Sequence, residues 1–247
     1  MNILIVNDDS IDAPGIRVLA RAAAQLGDVW VVAPAEQCSA LSQKLTLREQ
    51  ISLEEVPDFP ERVRGAWRIG GTPVDCVKIA LEYLLEEKPD VVLSGINNGF
   101  NCGQDIAYSG TLGAAFEAER LGVPAIALSA AADRYLDEME PHLPALLREL
   151  TEKRADQGRV WNVNFPAVKE SRPLRGILRD RVVCPVSMYR ERYVPVENED
   201  GKVMLECRGV PTPDSLIPEG TDAAAVRAGY LSVGQVGCLF DVWEEEA

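Results

Sequence analysis

Residues 3–10 read ILIVNDDS, an apolar run that ends in a polar turn with two adjacent aspartates. Four branched apolar residues followed by a turn are typical of a buried β-strand. Open α/β sheets bind their ligands at the carboxyl ends of such strands. The run therefore predicts a first core strand that delivers Asp8 and Asp9 to the ligand-binding edge of a sheet.

Strand and helix patterns alternate after this run, which favours a doubly wound, mainly parallel, Rossmann-like α/β sheet. An inserted antiparallel β-region interrupts the order at residues 45–69, and short β-like segments follow near 174–183 and 202–208. The other core strands are expected at 29–33, 91–93, 124–128, 160–165 and 230–236, and the helices at 14–27, 72–87, 111–121 and 137–154.

We expect one domain over residues 1–247, because the pattern has no second core and no internal repeat. Its parts are an α/β core (1–166), an accessory β or arm region (167–219) and a C-terminal return to the core (220–247). Hydrophobic residues make up 47% of the chain, which is enough for a large core.

Charge and composition exclude several function classes. The net charge of −14 and the lack of a basic stripe argue against duplex nucleic acid or an anionic membrane as a partner. The single histidine, His142, argues against Ser-His-Asp hydrolysis and against multi-histidine zinc sites. Six scattered cysteines without a C-x-x-C pair, and no leader-like segment, predict a cytoplasmic protein with reduced thiols.

Oxygen-bearing side chains follow three of the predicted strands. Asp8 and Asp9 follow the first, Ser39 lies in the loop after the second, and Asn97 follows the strand at 91–93. In a parallel sheet these ends share one edge, so the four side chains would converge on a hard divalent cation such as Mg²⁺, Mn²⁺ or Ca²⁺. The alternative is that the two aspartates are ordinary solvated turn residues.

A possible phosphate cradle follows in the segment YSGT at 108–111, at the start of a predicted helix. Ser109, Gly110 and Thr111 would offer hydroxyl groups and free backbone N–H groups to an anion. The alternative is an ordinary Ser/Thr helix cap. Asn98, and Ser42 in the loop of Ser39, are further candidates for binding phosphate.

Other phosphate-handling motifs are missing from the sequence. The segment NNGFNCG at 97–103 is not the dinucleotide fingerprint G-x-G-x-x-G, and no P-loop occurs. Haloacid-dehalogenase-like phosphatases need D-x-D after the first strand, whereas the two acids here are adjacent. A receiver domain needs an acceptor aspartate at the end of its third strand, where this chain has the segment SGIN.

Taken together, the motifs resemble those of the SurE (survival protein E) family of metal-dependent nucleotidases. They occur in the family's order and span almost the whole chain: NDD (7–9), AP (33–34), SA (39–40), GTPVDCV (71–77), SGIN (94–97), YSGT (108–111), NVNFP (162–166) and TDAAAVRAGY (221–230). One departure is Ser10, where the family usually has glycine.

The resemblance implies a 5′/3′-nucleotidase that hydrolyses nucleoside monophosphates, with other phosphomonoesters as possible substrates. It assigns the metal to Asp8, Asp9, Ser39 and Asn97, and the phosphate-binding loop to residues 109–111. It also implies a homodimer or tetramer that exchanges C-terminal segments.

We expect catalysis to depend on Asp8, Asp9 and Asn97, with Asp8 positioning or deprotonating a metal-activated water. Direct attack by a carboxylate is the alternative route. Two other functions fit the same fold: a non-catalytic nucleotide or phosphometabolite sensor, and a broad acid phosphatase.

Overall fold

The computed structural model describes residues 1–131, 136–168, 173–196 and 202–237; Cys238 and parts of the predicted accessory region and C-terminal return lie outside the described residues. The described strands are β1 (Asn2–Val6), β2 (Asp28–Pro34), β3 (Leu53–Glu55), β4 (Gly65–Ile69), β5 (Val91–Asn98), β6 (Ala125–Ala130), β7 (Arg159–Phe165), β8 (Ile177–Leu178), β9 (Tyr189–Val196), β10 (Met204–Pro211) and β11 (Leu231–Gly237). The described α-helices are α1 (Pro14–Ala23), α2 (Pro73–Ile79), α3 (Gly110–Arg120), α4 (Leu136–Met139), α5 (Leu143–Lys153) and α6 (Asp222–Arg227). None of the described helices is long and apolar enough to cross a membrane.

Nine strands form one sheet in the order β3-β4-β2-β1-β5-β6-β7-β11-β8. The six strands from β4 to β7 are parallel, whereas β3 runs antiparallel to β4 and β11 antiparallel to β7. The predicted mainly parallel α/β sheet is therefore confirmed. Because β2, β1 and β5 are parallel neighbours, their carboxyl ends lie side by side at one edge.

Both faces of this sheet are covered, which explains the unbroken apolar run of β1. Ile3 and Ile5 pack into one buried cluster with side chains of α1 and α5. Leu4 and Val6 point to the other face and join a cluster with α2 and α3. Alternate side chains of a strand point to opposite faces, so a strand between two helical layers needs apolar residues at every position.

Three local predictions were wrong. Residues 45–47 lie outside any strand, and only Leu53–Glu55 of the insert pairs antiparallel with β4. The predicted helix at 72–87 is α-helical only from Pro73 to Ile79. A π-helical turn, Ala80–Leu84, follows it. The helix predicted at 137–154 is divided by a 3₁₀ turn at Glu140–His142, because Pro141 provides no backbone N–H.

A second, two-stranded sheet pairs β9 with β10 in antiparallel register. Almost every residue of this hairpin is exposed, including large apolar side chains such as Tyr193 (67% exposed) and Leu205 (59% exposed). Isolated two-stranded sheets are marginally stable in water. The hairpin therefore has little packing of its own to stabilise it, because its large apolar side chains are exposed.

Candidate functional site

The carboxyl end of β1 carries a buried carboxylate next to a more accessible one. Asp8 is only 4% exposed, and the hydroxyl of Thr111 donates a 2.8 Å hydrogen bond to its Oδ1. Burial raises the pKa of Asp8 from 3.8 to about 6; the hydrogen bond from Thr111 lowers it, and the charge of Asp9 raises it. Asp9 is held at both oxygens, because Oδ2 accepts from the backbone N–H of Asn98 (2.8 Å) and Oδ1 from the side chain of Gln37 (3.3 Å).

The loop that carries Ser39 is bound directly to this strand end. The backbone N–H of Cys38 donates a 2.7 Å hydrogen bond to the carbonyl of Asp8, and Ser39 is the next residue along the loop. The backbone N–H of Ser42 donates a 3.0 Å hydrogen bond to the carbonyl of Tyr108. The same loop therefore joins the end of β1 to the start of α3.

Asn97 stands near the end of β5, the strand beside β1. Its amide Nδ2 donates a 2.9 Å hydrogen bond to the carbonyl of Gly99, which leaves the amide oxygen as the group available to a cation. The register of β5 against β6 shifts between Ser94 and Asn97. Gly95 makes this irregularity possible, since a Cβ there would lie 2.2 Å from the carbonyl oxygen of Leu128.

The start of α3 contacts the aspartate pair closely. A Cβ on Gly110 would lie 3.0 Å from both Cβ and Oδ2 of Asp8, so any side chain there would force Asp8 or the helix to shift. Ser109 is the N-cap and accepts a hydrogen bond from the N–H of Leu112, so the ordinary cap is present. Thr111 is fully buried and uses its hydroxyl on Asp8.

Two sets of contacts at the site were not predicted from the sequence. Gln37 binds Asp9, although nothing in its sequence context distinguishes it from other loop residues. Asn101 is buried in a network of amides: its carbonyl accepts from the side chains of Asn162 and Asn164, and its own side chain donates to Ser129. The motif NVNFP pointed to the two strand asparagines, but their contact with the loop after β5 depends on the tertiary fold.

A cavity of about 830 Å³ adjoins the start of α3. Ser42 and Ser109 line one part of it, Ile106 and Phe116 provide apolar surface, and Gln43 and Gln104 provide amide groups. This volume lies within the range of ~300–1,000 Å³ that is usual for small-molecule sites. The cavity is large enough for an organic group attached to an anion at Ser109.

The donor set fits a hard cation. Among the described residues, no group of three or more His, Cys, Asp or Glu side chains is arranged to hold a metal. The candidate set needs no such group, because it combines two carboxylates with the amide of Asn97 and the hydroxyl of Ser39, all oxygen donors. Gln37 and Asn98 already orient Asp9, as outer hydrogen bonds usually do for metal ligands.

Known proteins similar to this chain are found by sequence and by fold. The profile of the family described as Survival protein SurE matches residues 3–187. The "5'-nucleotidase SurE" of Gemmatimonas aurantiaca is 42% identical over 240 residues, covering 94% of this chain and 91% of that protein. The "5'/3'-nucleotidase SurE" of Edwardsiella ictaluri is 38% identical over 234 residues, covering 94% of this chain and 88% of that protein.

A solved structure shows the same fold. The crystal structure of the SurE protein from Aquifex aeolicus superimposes with a TM-score of 0.82 at 32% identity, covering 98% of this chain and 95% of that one. Sequence profile, full-length relatives and fold all lead to one assignment, and the chain belongs to the SurE family.

Proposed function

We propose that this protein hydrolyses nucleoside monophosphates to a nucleoside and phosphate with the help of a divalent cation. The observation that carries the proposal is the contact of Gly110 with Asp8, because it puts a helix start beside a carboxylate pair. The helix start is suited to a phosphate, and the carboxylates are suited to a hard cation. The names of the relatives, 5'-nucleotidase and 5'/3'-nucleotidase, support the same reaction.

In this proposal Asp8, Asp9, Ser39 and Asn97 hold the cation, which is Mg²⁺ or Mn²⁺, although Ca²⁺ could also occupy the site. When bound, the cation polarises a phosphoryl oxygen and activates the attacking water. Asp8 positions this water or takes its proton, and attack by a carboxylate itself is the alternative. Asp9 and Asn97 fix the position of the site through their contacts with Asn98 and Gly99.

The phosphate would bind at the start of α3. Gly110 is the first helical residue, so its N–H has no partner within the helix. Ser109 can donate its hydroxyl proton to the phosphate while its oxygen caps the helix. Asn98 and Ser42 complete the phosphate site in this proposal, and Thr111 contributes by fixing Asp8.

The nucleoside would enter the cavity beside Ser109. Ile106 and Phe116 offer an apolar surface for a base, and Gln43 and Gln104 offer amides that can both donate and accept hydrogen bonds. Such a lining suits a flat heterocycle with polar edges, and it contains groups able to bind either a purine or a pyrimidine.

The chain forms one domain with a core (1–166), an arm region (167–219) and a C-terminal return (220–247), and it acts in the cytoplasm. The exposed apolar side chains of the β9–β10 hairpin support a homodimer or tetramer in which a partner covers them.

The test is phosphate release from a panel of nucleoside monophosphates with Mg²⁺, with Mn²⁺ or with EDTA. We expect metal-dependent release that Asp8→Asn abolishes. Asp90→Asn, at the opposite end of the strands, should retain activity, because Asp90 contacts only the N-terminal end of β1 among the described hydrogen bonds. Metal-independent release, or no release from any nucleotide, would refute the proposal; equal rates on aryl phosphates would indicate a broad phosphatase.

A further inference from the structure

The connection between β2 and β3, residues 35–52, carries both Ser39 and Ser42; we call it the Ser39 loop. Not one side chain from residue 36 to residue 50 is buried. Burial of apolar area therefore contributes little to its conformation. Individual hydrogen bonds must hold the loop in place, so the groups that make them control where Ser39 and Ser42 stand.

Two of these hydrogen bonds belong to the site already described, from Cys38 to Asp8 and from Ser42 to Tyr108. A third attachment lies farther along the loop, on the first turn of α2. The hydroxyl of Thr46 donates to Oδ2 of Asp75 at 2.7 Å, and the backbone N–H of Thr46 donates to Oδ1 at 3.1 Å. Both oxygens of one carboxylate therefore bind the loop.

The neighbouring Thr72 adds a further bond to the same part of the loop. Its hydroxyl donates a 2.6 Å hydrogen bond to the carbonyl of Lys44. Its backbone N–H donates to Oδ2 of Asp75 at 2.9 Å, and the two residues form the capping box of α2. We call Thr46, Thr72, Asp75 and the Lys44 carbonyl the Asp75 cluster.

Asp75 is 2% exposed, so it is a buried carboxylate. None of the ion pairs between described residues includes it. Its charge is instead balanced by the N–H groups of Thr46 and Thr72 and by the positive end of α2. Hydrogen bonds to a charged group are stronger than neutral ones, and losing one leaves the buried charge poorly compensated.

We propose that Asp75 is a positioning residue: through Thr46 and Thr72 it holds the Ser39 loop closed, with Ser39 and Ser42 against the metal and phosphate sites. The proposal rests on the proposed function for the roles of Ser39 and Ser42. The attachment itself rests only on the contacts of the Asp75 cluster. It gives the GTPVDCV segment, which contacts the loop through Gly71, Thr72 and Asp75, a role in the reaction.

Thr46→Val is the sharpest variant, because it removes the hydroxyl from the loop side and leaves the capping box of α2 intact. Thr46→Ser keeps the hydroxyl and is the conservative control. Asp75→Asn is the second variant. The amide nitrogen that replaces one carboxylate oxygen cannot accept a hydrogen bond, so the hydrogen bonds made to that oxygen by Thr46 or Thr72 are lost. Thr221→Val, which removes a threonine cap from α6, is the matched control for a general loss of stability.

The first readout is limited trypsin digestion of the metal-free protein, followed by mass spectrometry. Lys44 and Arg48 are exposed in the loop, and cleavage requires the loop to open. We expect Thr46→Val to speed cleavage at these two residues about tenfold, which corresponds to one charged hydrogen bond. Thr46→Ser and Thr221→Val should be cleaved at these two residues at the same rate as the wild type.

The second readout is Mn²⁺ affinity by calorimetry, together with steady-state kinetics. We expect Thr46→Val and Asp75→Asn to weaken Mn²⁺ binding about tenfold and to raise KM, with kcat near the wild-type value at saturating metal and substrate. Unchanged cleavage, or faster cleavage with unchanged Mn²⁺ affinity, would overturn the proposal. If the wild type releases no phosphate but the variants still open the loop and weaken Mn²⁺ binding, the proposed function fails and the role of Asp75 stands.

Discussion

The hydroxyl of Thr111 donates a 2.8 Å hydrogen bond to Oδ1 of Asp8, across 103 positions of the chain. This contact joins the end of β1 to the first turn of α3. It fixes the orientation of a carboxylate that is almost fully buried. The same helix start brings Gly110 against Asp8, so one turn of α3 both holds the carboxylate and places a helix N-terminus beside it.

Removing the Thr111 hydroxyl should therefore impair the reaction without removing a ligand. We expect Thr111→Val to lower kcat/KM for a nucleoside monophosphate by about 10–100-fold, as loss of an outer hydrogen bond to a metal ligand usually does. Thr111→Ser, which keeps the donor, should stay near the wild type. Activity of Thr111→Val within about threefold of the wild type would show that Asp8 needs no such support.

Asp8 should make the metal-free protein less stable as pH rises. Its pKa is raised from 3.8 to about 6, so the stability that it contributes is fully present below pH 3.8 and is lost as pH rises through 6. A shift of this size corresponds to about 3 kcal/mol. In EDTA at pH 7.5, Asp8→Asn should therefore raise the free energy of unfolding by roughly that amount.

Near pH 4 the gain from Asp8→Asn should fall below about 1 kcal/mol, because a neutral Asp8 then carries no penalty in the folded state. Denaturant unfolding at both pH values measures the difference. Adding Mn²⁺ at pH 7.5 should stabilise the wild type and not the variant. An equal stability of the two proteins at every pH would contradict the buried-carboxylate explanation.

Ser39 should matter for the amount of metal that the enzyme requires. We expect Ser39→Ala to shift the Mn²⁺ activation curve to higher concentration by about tenfold, with activity recovering at saturation. Ser52→Ala is a matched control in the same connection, since Ser52 contacts Gly70 and not the aspartate pair. A superimposable Mn²⁺ titration for Ser39→Ala would remove Ser39 from the ligand set.

A side chain at Gly110 should displace Asp8. In Gly110→Ala the new Cβ would meet Asp8 at 3.0 Å, and any shift of Asp8 would strain its hydrogen bonds with Thr111 and Cys38. We expect activity to fall about 10–100-fold, since a displacement of ~1 Å of a reacting group can cost about 100-fold. Gly209→Ala, where the nearest atom would be 3.6 Å away, should be tolerated. Phosphate release and thermal unfolding of both variants distinguish lost positioning from lost folding.

The fold could be predicted in outline because strand and helix patterns are local. The apolar run of β1 required burial on both faces, and the alternation of strands and helices then implied parallel neighbours. The errors arose where local patterns were ambiguous. Residues 45–47 alternate like a strand, yet Thr46 is bound by Asp75 on a helix instead of by a neighbouring strand.

For the site, the residue types and their order along the chain were sufficient to select Asp8, Asp9, Ser39 and Asn97 as candidate ligands. The sequence by itself determined these chemical groups and the strand ends that carry them. Only the tertiary structure decided how they are held: Thr111 on Asp8, Asn98 on Asp9 and Asp75 on the Ser39 loop. Hydrogen bonds between distant segments depend on how the helices pack on the sheet. No local period in the sequence encodes that packing.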